Sequence, residues 1–271
     1  MTFDFLMYSS FQLALKYFKY WLTASNAKGH GVHSPFVYDF IKNVLNDWRQ
    51  FDCFRYIESL RSELKKNNTE INVPDFGAGS RMQLNNKRKI SAIARSSLKP
   101  KKYSQLLFRI AHYYKPSTIV ELGTSLGVTA SYLSFANPSA KITTMEGAHE
   151  VAAIAKKNFN QLYLSNIKII EGNFDETLPT VNRQLSTVNF AFIDGNHRKQ
   201  PTLNYFHQLL NKANESSIFI FDDIHWSKEM EEAWDEIKQH PSVTLTIDLF
   251  FIGIVFFRKE QKTNEHFIIR F

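Results

Sequence analysis

The sequence predicts a doubly wound α/β sheet of five parallel strands plus a C-terminal antiparallel hairpin, preceded by a helical N-terminal extension. Three observations carry this. From Tyr103 onward, short apolar or β-branched runs alternate with stretches of helical pattern. The intervals between the first five runs are long enough for a helix, as crossovers between parallel strands require. The last two runs stand only a few residues apart, so they must turn back on one another. With 271 residues, 44% of them hydrophobic and 14% aromatic, the chain can bury a sizeable core.

At the start of the chain, "MTFDFLMYSSFQLALKYFKYWLTA" places Met7, Phe11, Ala14, Leu15, Phe18, Trp21 and Leu22 at helical spacing. This predicts an amphipathic helix whose apolar face packs on the rest of the protein or on a second subunit, as in a homodimer. A signal peptide fits poorly, because Asp4 precedes any basic residue and Lys16 and Lys19 interrupt the run. "KGHGVHSPF" (28–36) reads as an inter-helix loop, with a lid as the less favoured alternative. A helix follows from Ser34-Pro35, and "FDCFRYIESLRSELKKNN" forms another with a polar stop. Residues 71–102 read as loop with one short helix, which sets a boundary between a mainly helical 1–102 with a basic linker and the sheet-bearing 103–271.

The second part opens with "YSQLLFRIAHYY", a helix ended by Pro116. The strands are "STIVELG" (117–123), "KITTMEG" (141–147), "IKIIEGN" (167–173), "VNFAFIDG" (188–195), "SSIFIFDD" (216–223), "VTLTIDL" (243–249) and "GIVFFRK" (253–259). The longest apolar run, 249–257, is about half of what a bilayer requires, so no membrane span is expected.

Composition narrows the function. A lone cysteine, Cys53, excludes an internal disulfide framework and clustered-thiolate zinc sites, so a reducing compartment, by default the cytoplasm, is expected. The net charge is +7, and residues 76–120 lack Asp and Glu while running basic from Arg81 to Lys115. Without interleaved exposed aromatics for base stacking, that stretch reads as a solvated flexible connection ahead of a nucleic-acid surface.

Two glycine turns compete for a nucleoside. A nucleoside site needs a strand before the glycines, a helix after them, and an acid at the end of the next strand for the ribose hydroxyls. "VPDFGAGSRM" (73–82) has no such strand after it. "ELGTSLG" has a plausible helix in "SLGVTASYLSFA", and the next strand ends at Glu146, 25 residues beyond Glu121. The second turn is therefore chosen, and the Asp75–Arg81 turn is assigned more speculatively to a lid.

Two further strand ends are acidic: "FIDGNH" gives Asp194 and His197, and "FDDIHW" gives Asp222, Asp223, His225 and Trp226. Ligands of open α/β sheets bind at such carboxyl ends. Three carboxylates converging there repel unless a cation lies between them, and all-oxygen ligation suits Mg²⁺, Mn²⁺ or Ca²⁺. An imidazole can exchange protons near neutral pH, so His197 is the candidate general base, with helix capping as its alternative. For Asp222 and Asp223 the alternative is the start of the helix "SKEMEEAWDEIKQ". His225 and Trp226 are read as pocket walls, with plain core an equal reading for Trp226.

The strand ending E-L-G-T-S-x-G, the acidic end of the second strand and the C-terminal hairpin resemble the class I S-adenosylmethionine-dependent methyltransferases. Within these the likeness is greatest to the metal-dependent O-methyltransferases of the catechol and caffeoyl-CoA type, over about residues 103–271. The resemblance implies a Rossmann-like methyltransferase sheet that takes S-adenosylmethionine and a divalent cation, and a small-molecule hydroxyl as acceptor. It further implies that Glu121, Gly123, Thr124, Ser125 and Gly127 surround the methionine moiety, that Glu146 and Gly147 meet the ribose, and that Gly172 and Asn173 meet adenine. Asp194 is implied in both cofactor and metal binding, with Asp222 and Asp223 completing the metal set. Asp223 departs from the family's Asn, and His197 stands where the family often has a lysine base. The alternatives are methylation of RNA or another macromolecule through the basic 81–115 segment, or a non-catalytic nucleoside-binding protein of the same fold.

Overall fold

The computed structural model describes residues 7–25, 33–73, 86–260 and 263–271. The Asp75–Arg81 turn and most of the 28–36 loop lie outside the described residues, so the lid assignments do too. Contacts divide the chain into two compact units, Asn43–Ser186 and the combination of Met1–Lys42 with Thr187–Phe271. Among the described residues, the first unit carries three neighbouring parallel strands of the main sheet order and the second carries five neighbouring ones. The architecture is the mostly parallel α/β sheet expected.

The chain begins with α1 (Ser10–Thr23), started by a capping box between Ser9 and Gln12. Next comes α2 (Pro35–Phe40), which widens into a π turn at Ile41–Leu45. In the Asn43–Ser186 unit, α3 (Asp52–Lys66) is followed by β1 (Glu70–Asn72), β2 (Lys87–Lys89), α4 (Ile90–Ser96) and α5 (Lys101–Tyr114). β1 and β2 pair antiparallel, so part of the expected loop is a two-stranded ribbon. Arg61 of α3 is buried but satisfied: it donates to Glu58, to the Lys99 carbonyl and to Ser104, at 2.9, 2.7 and 3.1 Å.

The parallel strands β3 (Thr118–Leu122), β4 (Lys141–Glu146) and β5 (Ile167–Glu171) alternate with α6 (Val128–Ala136), α7 (His149–Gln161) and α8 (Phe174–Gln184). Their register sets Glu146 beside Glu171. The helix between each pair of strands is what lets neighbours run parallel.

In the other unit, β6 (Phe190–Ile193) and β7 (Ile218–Asp222) are parallel and buried along their whole length. Helices α9 (Lys199–Leu210) and α10 (Lys228–Gln239) follow them. The expected hairpin is β8 (Leu245–Asp248) and β9 (Ile252–Phe256), and β9 lies between β7 and β8, antiparallel to both. A strand not anticipated from sequence, β10 (Glu265–Ile268), adds to the edge parallel to β8. The corner before β9 is tight: Phe250 adopts φ 70°, and the Asp223 amide donates to the Phe251 carbonyl at 2.7 Å.

For α1, packing of the apolar stripe on the rest of the protein is not what the structure shows, which leaves the expected alternative of a second subunit. The stripe formed by Phe11, Leu15, Phe18, Trp21 and Leu22 does not pack on this chain; Phe11 is 72% and Phe18 59% exposed. The helix docks through the opposite side instead. Tyr20 is buried against Ala24 and Phe250 and donates to the Ile269 carbonyl, and Tyr17 meets the edge of the Phe250 ring at 5.0 Å.

A polar network adds to this docking. Tyr8 and Lys16 both donate to Glu231, at 2.5 and 2.9 Å, and the His225 imidazole bridges Glu231 and Asp248 at 3.0 and 2.8 Å. Burial works against charge on His225, but its hydrogen bonds to Asp248 and Glu231 outweigh it and raise its pKa to about 9. Burial likewise opposes charge on Glu231, yet hydrogen bonds from His225, Tyr8 and Lys16 hold its pKa at about 2.

The sign of the linkage follows. The His225 contribution is complete below its unfolded pKa of about 6.5 and is lost as pH rises through about 9. The Glu231 contribution is present above 4.5 and is lost toward about 2. The stability difference between the wild type and His225→Phe, measured by urea denaturation, should therefore be largest near pH 5–6.5, on the order of 2–3 kcal/mol, and shrink above pH 9. A difference that does not vary with pH would show that the imidazole is held uncharged.

Candidate functional site

The glycine turn after β3 lies in the Asn43–Ser186 unit. The Gly123 and Thr124 amides both donate to the Met145 carbonyl at 3.0 Å, which folds the loop against the end of β4. Gly123 (φ 98°), Ser125 (φ 48°) and Gly127 (φ 79°) all take left-handed backbone, a conformation that glycine reaches without steric cost. Glu146 closes the corner: one carboxylate oxygen accepts from the Ser125 amide at 2.8 Å and the other from the Ala148 amide at 3.0 Å. This ties the end of β4 to the glycine loop.

The remaining residues of this half take distinct places. Glu121 is fully buried and accepts from Thr144 at 2.5 Å, while the Thr144 and Thr124 hydroxyls lie 2.6 Å apart. Those side chains hold β3 to β4. A Cβ on Gly127 would lie 2.6 Å from the Phe159 ring, so Gly127 is required by the contact of α6 with α7 as well as by its dihedral. Gly147 occupies the bend between β4 and α7. Gly172 (φ 131°) donates to the Glu146 carbonyl at 2.9 Å, and Asn173 caps α8 by accepting from the Asp175 amide at 3.1 Å.

Residues in this half suit a nucleoside cofactor. The Ser125 hydroxyl is buried with no hydrogen-bond partner among the described residues, so the fold does not use it and a ligand could. The glycine loop offers backbone to a close-lying group, and the Glu146 carboxylate lies against that loop.

The acidic ends of β6 and β7 belong to the other unit. After β6, Asn196 (φ 67°) and His197 (φ 35°) are consecutive left-handed residues, and Asn196 donates to the Tyr205 hydroxyl at 3.2 Å. Strain of this kind is held only where neighbours enforce it, and it is concentrated at functional sites. The turn brings His197 Nε2 to 3.5 Å from Asp194. Asp222, almost completely buried at the end of β7, joins them: one ligand atom each from Asp194, His197 and Asp222 lies within 4.8 Å of the others.

Asp223 is not part of this cluster. It has turned into left-handed backbone (φ 53°), and α10 is capped by Ser227, which accepts from the Met230 amide at 3.2 Å. The helix-start reading of Asp222 and Asp223 therefore does not hold, nor does helix capping by His197, since Arg198 stands at the start of α9. Two carboxylates and an imidazole form a mixed oxygen–nitrogen donor set, which suits a divalent ion such as Mn²⁺ and also accommodates Mg²⁺.

Sequence reasoning missed the bridge that His225 makes in the Glu231–Asp248 network, since its partners are distant in sequence from the Asp222 loop. Trp226, 39% exposed, is not core.

The fold is a Rossmann-like α/β sheet of the kind seen in solved methyltransferases. Residues 120–224 match the family model described as "Methyltransferase domain", a segment that runs from the glycine loop to just past Asp222. The chain is similar to the O-methyltransferase from Bacillus cereus solved in complex with SAH, at 16% identity and a TM-score of 0.55, over 82% of this chain and 97% of that one. It is also similar to the O-methyltransferase TomG from Streptomyces achromogenes in complex with SAM, at 14% identity and a TM-score of 0.55, over 80% and 95%. Among curated proteins, a tRNA (guanine-N(7)-)-methyltransferase of Mycoplasma mobile is 31% identical over 80 residues, which is 30% of this chain and 40% of that protein. The chain spans about half the length of the curated relatives it matches. Among the described residues no helix is long and apolar enough to cross a membrane.

Proposed function

We propose that the protein transfers the methyl group of S-adenosylmethionine to a hydroxyl of a small molecule, with a divalent cation held by Asp194 and Asp222 beside the base His197. The convergence of those three side chains on a fold shared with O-methyltransferases carries this reading. Glu121, Gly123, Thr124, Ser125 and Gly127 are assigned to the methionine end of the cofactor. Glu146 and Gly147 are assigned to the ribose hydroxyls, and Gly172 and Asn173 to the adenine. In this assignment Glu121 and Thr124 act by keeping the loop in shape.

S-adenosylmethionine supplies the methyl as a sulfonium, and a cation would make an acceptor hydroxyl more acidic. His197 would accept, at its imidazole, the proton that the acceptor hydroxyl gives up when it is methylated. Asp194 orients that ring and stabilises its charged form. Asp223 is retained only as a neighbour that sets the local charge. The exposed apolar face of α1 supports a homodimer through that helix.

A second reading, methylation of an RNA, is favoured by one observation, the match to a tRNA methyltransferase over 80 residues. Calorimetry with S-adenosylmethionine, with and without Mg²⁺ or Mn²⁺, is the test. The wild type should bind the cofactor, and Glu146→Ala should weaken binding roughly 10–100-fold by removing a charged hydrogen-bond acceptor. A wild type that binds no S-adenosylmethionine would end the reading. Release of S-adenosylhomocysteine with phenolic, sugar or RNA acceptors separates the substrate classes, and binding without release under any of them would favour the non-catalytic alternative.

A further inference from the structure

We propose that the side of the Asn43–Ser186 unit formed by α3, the β1–β2 ribbon, α4 and the start of α5 binds the phosphate backbone of a double-helical RNA. The class of partner rests on the RNA reading above; the surface, and the way it engages RNA, go beyond that reading. The described part of the basic stretch is not a free connection. The β1–β2 pairing sets Lys89 opposite Glu70 and Lys87 opposite Asn72. The Ile90 and Ser91 amides donate to the Thr69 and Asn67 carbonyls at 3.0 and 2.7 Å. Arg95 donates to the Lys65 carbonyl at 3.1 Å, and Arg61 reaches the Lys99 carbonyl at 2.7 Å. The basic segment is thereby fastened to the C-terminal turn of α3, which brings its own lysines.

The result is a fixed surface in which Lys65, Lys66, Lys87, Lys89, Arg95 and Lys101 are all exposed. Among the described residues of 61–102 the acids are Glu63 and Glu70 alone. A concentration of cations on ordered backbone attracts a polyanion and holds it by counterion release.

Two absences, both among the described residues of 61–102, select the partner. There is no aromatic side chain in that stretch, the exposed Tyr56 standing earlier on α3, so unpaired bases have nothing to stack on along the basic residues and a single strand is not favoured. No large apolar side chain is exposed either, so a membrane surface gains no insertion. Contacts limited to phosphate and sugar suit double-helical RNA, which proteins recognise by shape and backbone. The surface also borders the cofactor half. The Asn72 amide donates to Glu150 at 2.8 Å, in the first turn of α7 and just beyond the Glu146 corner.

The test is fluorescence anisotropy with a labelled duplex RNA of about 20 base pairs across a salt series from roughly 50 to 200 mM. The wild type should bind with a steep salt slope. The triple variant Lys87→Gln, Lys89→Gln, Arg95→Gln should bind at least tenfold more weakly, with a slope shallower by about 2–3. A control triple of equal charge, Lys168→Gln, Lys228→Gln, Lys259→Gln, should stay within about threefold of wild type. An equal loss in both triples would assign binding to net charge and overturn the proposal. So would equal affinity for single-stranded RNA, for duplex DNA or for anionic phosphatidylglycerol vesicles, or the absence of RNA binding. Calorimetry with S-adenosylmethionine on the same triple should match the wild type, so loss of the RNA surface and failure of the methyltransferase reading give different results.

Discussion

Replacing Asp194 by alanine is expected to lower methyl transfer at least 10²-fold, about 2.7 kcal/mol of transition-state stabilisation. The variant also removes one of the two carboxylates that converge with His197, so Mn²⁺ affinity measured by calorimetry should fall with it. Asp222→Ala should behave in the same way, whereas Asp223→Ala should leave Mn²⁺ affinity within about threefold, because Asp223 lies outside the converging set. Measuring S-adenosylmethionine affinity without metal separates the two roles assigned to Asp194. If cofactor affinity falls in Asp194→Ala while Mn²⁺ binding persists, the trio is not a metal site.

The second large effect is on stability. Gly127→Val must place a β-branched side chain at φ 79° and a Cβ 2.6 Å from the Phe159 ring. Left-handed strain of about 1–3 kcal/mol and overpacking of similar size should together cost about 3–5 kcal/mol, lowering Tm by roughly 10 °C in a chain of this size. Combining Gly127→Ala with Phe159→Leu should restore part of the loss seen in Gly127→Ala alone, a favourable coupling between two residues in contact. No recovery would mean that the dihedral, and not the packing of α6 on α7, dictates glycine at this position.

What could be read from the sequence follows from the range of the interactions involved. β3 to β9 were legible because each is a short apolar or β-branched run bounded by turn chemistry, and those buried throughout, such as β6 and β7, need no alternation. β10 was not, since Glu265–Ile268 is four residues long and alternates only weakly in burial at a sheet edge. The ribbon of Lys87–Lys89 was hidden for the opposite reason: three consecutive cations have no strand signature until β1 supplies hydrogen bonds.

The Glu121–Glu146 spacing was legible because it counts one strand–helix–strand unit. By contrast, the departure of Asp223 from the acidic cluster depends on a single dihedral, and the Tyr8–Glu231–Asp248 network joins residues far apart in the chain. Whether the α1 stripe packs on this chain or on a second subunit was left open in the sequence, because hydrophobic periodicity locates an apolar stripe without saying what covers it.

The antiparallel strand β9 has a consequence for how this chain can vary. Asp222 pairs with Ile252 on one side of β9, and Asp248 pairs with Gly253 on the other. Asp248 also accepts from the Phe250 amide at 2.7 Å, so the three residues between Asp248 and Ile252 are all that span the corner. One added residue there would slip β9 against β7 and turn its side chains to the opposite face, moving Gly253 away from the Trp234 ring that leaves no space for a Cβ. The corner at 249–251 thus works as a spacer of fixed length: its residues can change, but their number cannot, if Asp222 is to stay in place.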